Sequence, residues 1–461
     1  MKNKFSCLVI SCFLLLSVFV AGQNKVALID SLFTQAHRIG VFNGNVLVVE
    51  TNKEIYRNAM GYADASRKIM LTDKYRFQIG SIAKEFNAVA IMMLQEQGKL
   101  KTDDKISLYL PDLPDWAKTV SIKNLLQYTS GIPNLDFGMI KSDTEARVAV
   151  RNITKLDFEA GTAYAYNNTN VFLQREIVAK VSGISFRDFV SQKMLKPLAM
   201  KSSLTDPDET TPLMAKAYDD NYIQSPLSPP FSGWTVVTLD DFYKWEKGLE
   251  AFKLIGVSSV KEILIPAVTN KQSGLGGGTI ENGKIITHIH DGSNYKFQAL
   301  LTANTLKGRT IILMTNNKQN NLYDINAAIE NILEGKPFLQ PKKPLQTALF
   351  NKIEGNSGKQ LLEYYSFLKE KYPNDYDFSN ESALNAFGYE LLRSGRFDDA
   401  ILIFEYNTKL FPQSGNVYDS LGEAYYSKGD KGNSLVNYKR AYELDPSNSG
   451  AKEKIDELSK K

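Results

Sequence analysis

Ser81-Ile82-Ala83-Lys84 sets a hydroxyl and an amine three residues apart where a helical pattern begins, and one helical turn brings such a pair onto a common face. A serine hydroxyl attacks a carbonyl only when a neighbouring base takes its proton. A lysine can be that base if desolvation lowers its pKa. The spacing occurs by chance in long chains, and an N-capping serine beside a solvated lysine is the simpler reading until further polar groups are found to join it.

Two other clusters supply candidates. In the turn Phe158-Glu-Ala-Gly-Thr-Ala-Tyr-Ala-Tyr-Asn-Asn168, Tyr166 and Asn168 stand two apart ahead of the helical pattern Val171, Leu173, Ile177, Val178. A phenol can relay a proton, and an amide can grip a substrate carbonyl. His290-Asp291-Gly292-Ser293 follows the strand-like Ile285-Ile286-Thr287, and a glycine in a strand marks close approach by a ligand or another backbone. The chain has three histidines, His37, His288 and His290. A metal bound by His288 and His290 would find only His37 as a further imidazole, so a zinc centre is not expected.

The elements that must hold these groups are legible in outline. Phe86, Val89, Ala90, Met93 and Leu94 keep helical spacing until Gly98 stops it. Strand-like runs such as Asn45–Glu50 and Thr310–Thr315 alternate with long helical patterns, which predicts an α+β or α/β domain over 23–336. Three prolines and three lysines between Glu334 and Pro344 mark a connection, placed at 337–356. Beyond it Leu384, Phe387, Gly388, Leu391, Ala400, Phe404 and Pro412 reappear as Tyr418, Leu421, Gly422, Tyr425, Ser434, Tyr438 and Pro446, each displaced by 34 positions. Period and positions match tetratricopeptide (TPR) repeats. Two repeats are expected over 381–461, closed by a helix through Ala451, Ile455 and Leu458, with a degenerate repeat helix in 357–380. Such a module either docks a peptide or protein partner or is a structural appendage.

Residues 1–22 read as a secretory signal: Lys2 and Lys4, an apolar stretch from Phe5 to Val20, then Ala21 and Gly22. The stretch is shorter than the ~20 residues that span a bilayer, so no stable membrane span is expected in the mature chain, which would be periplasmic or secreted. Cys7 and Cys12 lie inside the signal, leaving the exported protein without thiols. The formal charge of +4 includes Lys2 and Lys4, and the near-neutral remainder gives no reason to expect nucleic acid as a partner.

Taken in order, the Ser-x-x-Lys, Tyr-x-Asn and His-x-Gly motifs resemble those of the serine β-lactamase and penicillin-binding-protein superfamily, above all its class C-like branch of esterases and D-amino-acid-specific peptidases. The resemblance runs from about residue 28 to 336 through Phe42–Val48, Tyr75–Ser81, Lys99–Pro111, Ile122–Pro133 and Thr238–Trp245. It implies an antiparallel sheet flanked by helices with a helical subdomain. It makes Ser81 the nucleophile, Lys84 its activator and Tyr166 the proton relay, with Asn168, His290, Asp291 and Gly292 binding substrate. The backbone N–H groups of Ser81 and Ser293 would form the oxyanion hole. Where this chain has Asp291 the family usually has serine or threonine to hold a substrate carboxylate. An ionised aspartate would repel that carboxylate, favouring a neutral or amine-bearing substrate, unless it turns away to pair with a cation such as Lys296. Lys296 stands where relatives often have glycine, and Asn167 where they often have serine. The implied function is an exported serine hydrolase of small esters, amides or peptides, an acyl transfer that requires no cofactor. The alternatives are a D-Ala-D-Ala carboxypeptidase or β-lactamase, and a non-catalytic scaffold acting through its repeats.

Overall fold

Side chains buried on both faces of the central strands build an antiparallel sheet. The computed structural model describes residues 25–227 and 233–460; the expected leader, with both cysteines, lies outside the described residues. The strands are β1 (Gly44–Glu50), β2 (Lys53–Met60), β3 (Phe77–Gln78), β4 (Leu204–Thr205), β5 (Thr235–Val237), β6 (Gly277–Glu281), β7 (Lys284–Asn294), β8 (Phe297–Asn304) and β9 (Arg309–Thr315). Six of them form one sheet in the order β2-β1-β9-β8-β7-β6, and β3, β5 and β4 form a small second sheet. The helices of the same unit are α1 (Lys25–Arg38), α2 (Lys84–Glu96), α3 (Ile122–Leu126), α4 (Asp143–Arg151), α5 (Asn168–Ser182), α6 (Phe186–Val190), α7 (Leu239–Glu250), α8 (Val257–Leu264) and α9 (Leu322–Leu333).

The period of two along each strand divides the core into two layers. Val46 and Val48 of β1, Leu300 of β8 and Ile311 and Leu313 of β9 pack with Leu32 and Phe33 of α1 and Ile325 and Ile329 of α9. Leu47, Leu301, Ile312 and Met314 face the opposite way, into a larger core centred on α2. That helix is buried nearly all round, and it takes Lys84, Glu85 and Asn87 in with it. Apolar neighbours such as Phe86 and Val89, each contributing about 1.5–3 kcal/mol on full burial, hold it there against the desolvation of those three. Phe86 also stacks on Trp245 of α7, ring centroids 4.0 Å apart.

A second compact unit begins at Lys342. It consists of α10 (Leu345–Phe350), α11 (Gly358–Lys371), α12 (Ser382–Arg393), α13 (Phe397–Leu410), α14 (Gly415–Lys428), α15 (Lys431–Leu444) and α16 (Ser449–Leu458). The connection expected over 337–356 is shorter than that, because Leu345 and Leu349 of α10 are buried in the core of the helical unit. Gly388 and Gly422 let paired helices touch: a Cβ on Gly388 would lie 2.6 Å from the ring of Phe404, and one on Gly422 would lie 3.1 Å from that of Tyr438. Among the described residues no helix is long and apolar enough to cross a membrane.

Candidate active site

Ser81 sits in a single 3-10 turn, Gly80–Ala83, that runs directly into α2. In 3-10 geometry residues i and i+3 eclipse, which stacks Lys84 under Ser81. Neither Ile79 nor Ala83, the residues at the two N-cap positions, makes a side-chain cap, so Ser81 is not spent on capping. Lys84 Nζ lies 3.0 Å from Ser81 Oγ and is in hydrogen-bond contact with the Tyr166 hydroxyl, whose ring centroid is 4.2 Å away.

Burial sets the electrostatics of this trio. Lys84 is only 4% exposed, and desolvation, assisted by the charge of Arg175, lowers its pKa from the ordinary lysine value to about 7. The amine is therefore substantially neutral near neutral pH. Tyr166 keeps part of its ring in solvent, but its hydroxyl is buried against the amine, and that desolvation pushes its pKa well up despite a hydrogen bond with Ser81. It stays a phenol and can donate. Tyr128, buried with its ring 4.6 Å from that of Tyr166, hydrogen-bonds the same hydroxyl. Its φ of 54° lies in the left-handed region, an unusual conformation for an aromatic residue.

Asn168 opens α5, whose N-cap is Asn167: the Asn167 side chain accepts from the Asn170 N–H. Asn168 Oδ1 is buried and has no hydrogen-bond partner among the described residues. An orphaned acceptor of this kind suits a substrate N–H, whereas the sequence reading assigned the amide to a carbonyl. Its NH2 group can serve that purpose as well.

The third motif lies on β7, and cross-strand pairing assigns its faces. His290 pairs with Leu301 and Gly292 with Ala299, while Asp291 pairs with Leu300. Paired residues share a face, so His290 and Gly292 turn toward α2, and Asp291 turns to the α1/α9 side. There Asp291 Oδ1 accepts from the Tyr323 hydroxyl at 3.0 Å and Gln272 Nε2 at 3.4 Å. The cation partner suggested for it, Lys296, is replaced by these neutral donors. Its charge still reaches Tyr166, where it adds to the upward shift.

Gly292 is the point of closest approach. A Cβ there would lie 2.1 Å from Ile79 O and 2.6 Å from Ser81 N, and one on Gly80 would lie 2.3 Å from Ser293 N. Two glycines thus let β7 cross the Ser81 turn at backbone contact, with the N–H groups of Ser81 and Ser293 flanking the crossing. The Ser293 side chain is exposed and accepts from Lys318 Nζ at 3.1 Å. β6 pairs with β7 only up to Ile289, so His290–Asn294 keep that edge unpaired by β6.

His288 and His290 do not form an open ligand pair. Each directs a ring nitrogen to Glu85, and His288 directs its other one to Glu246. Among the described residues no group of three or more histidine, cysteine, aspartate or glutamate side chains is arranged to hold a metal ion. The sequence reading missed Glu85 and Tyr128. Glu85 carried a usable signal, a carboxylate inside a helix with apolar residues on every face; Tyr128 carried none, since its role depends on a backbone angle.

A family model described as Beta-lactamase matches residues 26–334. A penicillin-binding protein of Bacillus subtilis (strain 168) is 24% identical over 380 residues, covering 72% of this chain and 83% of that protein. The crystal structure of a penicillin-binding protein from Bacillus halodurans superposes with a TM-score of 0.58 at 23% identity, over 65% of this chain and 99% of that one. The D-amino acid amidase from Ochrobactrum anthropi SV3 superposes with a TM-score of 0.57 at 21% identity, over 68% and 99%. At these identities the two structures are similar in fold.

Proposed function

The chain belongs to the beta-lactamase family, serine hydrolases of the β-lactamase and penicillin-binding-protein superfamily, and from that premise we propose that it hydrolyses small esters, amides or peptides through an acyl-Ser81 intermediate. The observation that carries this is the contact of a Lys84 amine, its pKa lowered by burial to about 7, with both Ser81 and Tyr166. Lys84 takes the proton as Ser81 Oγ attacks the carbonyl carbon, and the Ser81 and Ser293 N–H groups receive the charge that develops on the oxygen. Tyr166, held as a phenol, passes the proton to the leaving alkoxide or amine as the C–O or C–N bond breaks. Water enters by the same route in reverse, releasing the acid and restoring Ser81.

Asn168 grips the acyl-side amide, and Gly292 permits the crossing at which the substrate carbonyl sits. The charge of Asp291, felt at Tyr166, supports a neutral or amine-bearing substrate, and with it an esterase or amidase reading. A carboxypeptidase acting on a substrate carboxylate is a second reading, favoured by the Lys318 ammonium beside Ser293. The helical unit, read as TPR repeats, docks a protein partner, and the leader exports the chain to the periplasm or beyond.

Intact-protein mass after treatment with a fluorophosphonate and, separately, a penicillin tests the reading. A fluorophosphonate adduct that disappears in Ser81→Ala supports it; no adduct with either reagent would overturn it. A stable penicillin adduct would move the assignment to the second reading. Turnover of p-nitrophenyl esters and D-amino-acid amides then ranks the substrates.

A further inference from the structure

Behind the Ser81–Lys84 pair lies a chain of buried ionisable groups that acyl transfer as described above does not use. Glu85 and Glu246 are both fully buried, and His288 and His290 are 1% and 3% exposed. Glu85 Oε1 meets His290 Nδ1 at 2.6 Å and His288 Nε2 at 3.1 Å. Glu85 Oε2 accepts from Trp245 Nε1 at 2.6 Å. His288 Nδ1 continues the chain to Glu246 Oε2 at 2.6 Å. The four residues come from three elements, α2, α7 and β7, so tertiary packing alone assembles them.

The chain is poorly explained as a stabilising feature. Burying paired charges is often no better than burying apolar side chains of the same volume. Here one further carboxylate oxygen, Glu246 Oε1, has no hydrogen-bond partner among the described residues, and leaving a buried acceptor unsatisfied costs stability. The arrangement does have a directional consequence. An ionised carboxylate only accepts, so His290 must carry its proton on Nδ1 to bond Glu85, which leaves Nε2 as the nitrogen directed away from Glu85. His290 Nε2 makes no hydrogen bond with any other described residue. The ring belongs to the strand whose Gly292 touches the Ser81 turn.

We propose that Glu246, His288 and Glu85 are positioning residues that fix the tautomer and orientation of His290, so that its Nε2 is presented to the group bound beside Ser81. The charges fit the task. Burial opposes ionisation of Glu85, yet His288 and His290 together bring its pKa down to about 2, and burial opposes protonation of His288, yet Glu246 and Glu85 raise its pKa well above the ordinary histidine value. Glu85 is thereby held as an acceptor for His290, and His288, favoured in its protonated form, is a two-ended donor that holds Glu85 in place. Among the described residues the other titratable groups at the site, Lys84, Tyr128, Tyr164, Tyr166 and Asp291, make no hydrogen bond to these four.

The inference rests on Ser81 being the nucleophile, and the test separates the two. In the full-length protein, fluorophosphonate labelling of Ser81 reports the nucleophile independently of His290; if the parent is not labelled, the functional reading fails before the positioning residues are in question. With labelling established, kcat and KM for an ester are measured in Glu246→Gln, His290→Asn and the double variant. Glu246→Gln is expected to lower kcat/KM by at least tenfold, and the double variant is expected to fall no further than His290→Asn, because the first residue acts through the second. Multiplicative losses would mean that Glu246 acts by some other route, and would overturn the proposal. A second readout serves if a variant is unstable. With three histidines in the chain, selective 15N-histidine labelling resolves each ring: His288 protonated at both nitrogens and His290 at Nδ1 are expected in the parent, and a parent His290 protonated only at Nε2 would also overturn it.

Discussion

At the scale of residues, the decisive property is the protonation of Lys84. A base must be neutral to act, so with its pKa lowered to about 7 the acylation rate is expected to rise through neutral pH and level off above it; a rate falling over that range would remove Lys84 as the base. Lys84→Arg places a permanently charged group there and is expected to lower kcat/KM by about 10²–10⁴, the usual worth of general base catalysis. The same burial has a stability consequence. Between about 7 and the ordinary lysine value of 10.5 the unfolded chain binds the proton that the folded site rejects, so this group's penalty is greatest at low pH and fades as pH rises through that window. Lys84→Met is therefore expected to raise Tm at pH 7 while abolishing turnover, which calorimetry and an ester assay check together. Ser81, Lys84, Tyr166 and His290 could be singled out in the sequence because their types are chemical and their order is familiar. The depressed pKa of Lys84 could not, because desolvation is a property of what surrounds the amine.

At the scale of elements, the crossing of β7 over the Ser81 turn carries the geometry. A methyl group at Gly292 would sit 2.6 Å from Ser81 N, a separation that moves one backbone off the other. Gly292→Ala is expected to lower kcat by about 10²–10³, the loss typical of a displaced oxyanion donor, with little loss of the fluorescence signal of Trp245 packed on Phe86. Unchanged kcat would show that the crossing is not where the charge is stabilised. The alternation of β7 also corrects the expectation for Asp291. The motif places it between two residues that face α2, and a strand's period of two turns it to the other side, where Tyr323 and Gln272 bond it. Asp291→Asn, which keeps those contacts and removes the charge, is expected to increase turnover of a substrate bearing a carboxylate relative to its neutral amide; equal effects on both would dismiss the charge argument.

At the scale of the whole molecule, the two compact units have cores with no residue in common. A chain ended at Pro341 is therefore expected to fold and to hydrolyse small esters at a rate within about twofold of the parent, since local stability follows contiguous packing. Loss of folding in that truncation would show that the helical unit is part of the enzyme's stability. The sequence by itself determined the elements, the order of the three motifs and the 34-residue recurrence, because apolar periodicity, glycine placement and residue chemistry are local and survive in one dimension. Only the tertiary structure decided that Lys84 is desolvated, that Tyr128 supports Tyr166, that Asp291 faces away from α2, and that Glu85 and Glu246 clasp the two histidines. Each of these depends on residues brought together from 19 to 205 positions apart, where burial and neighbouring charge, rather than residue type, set what a side chain can do.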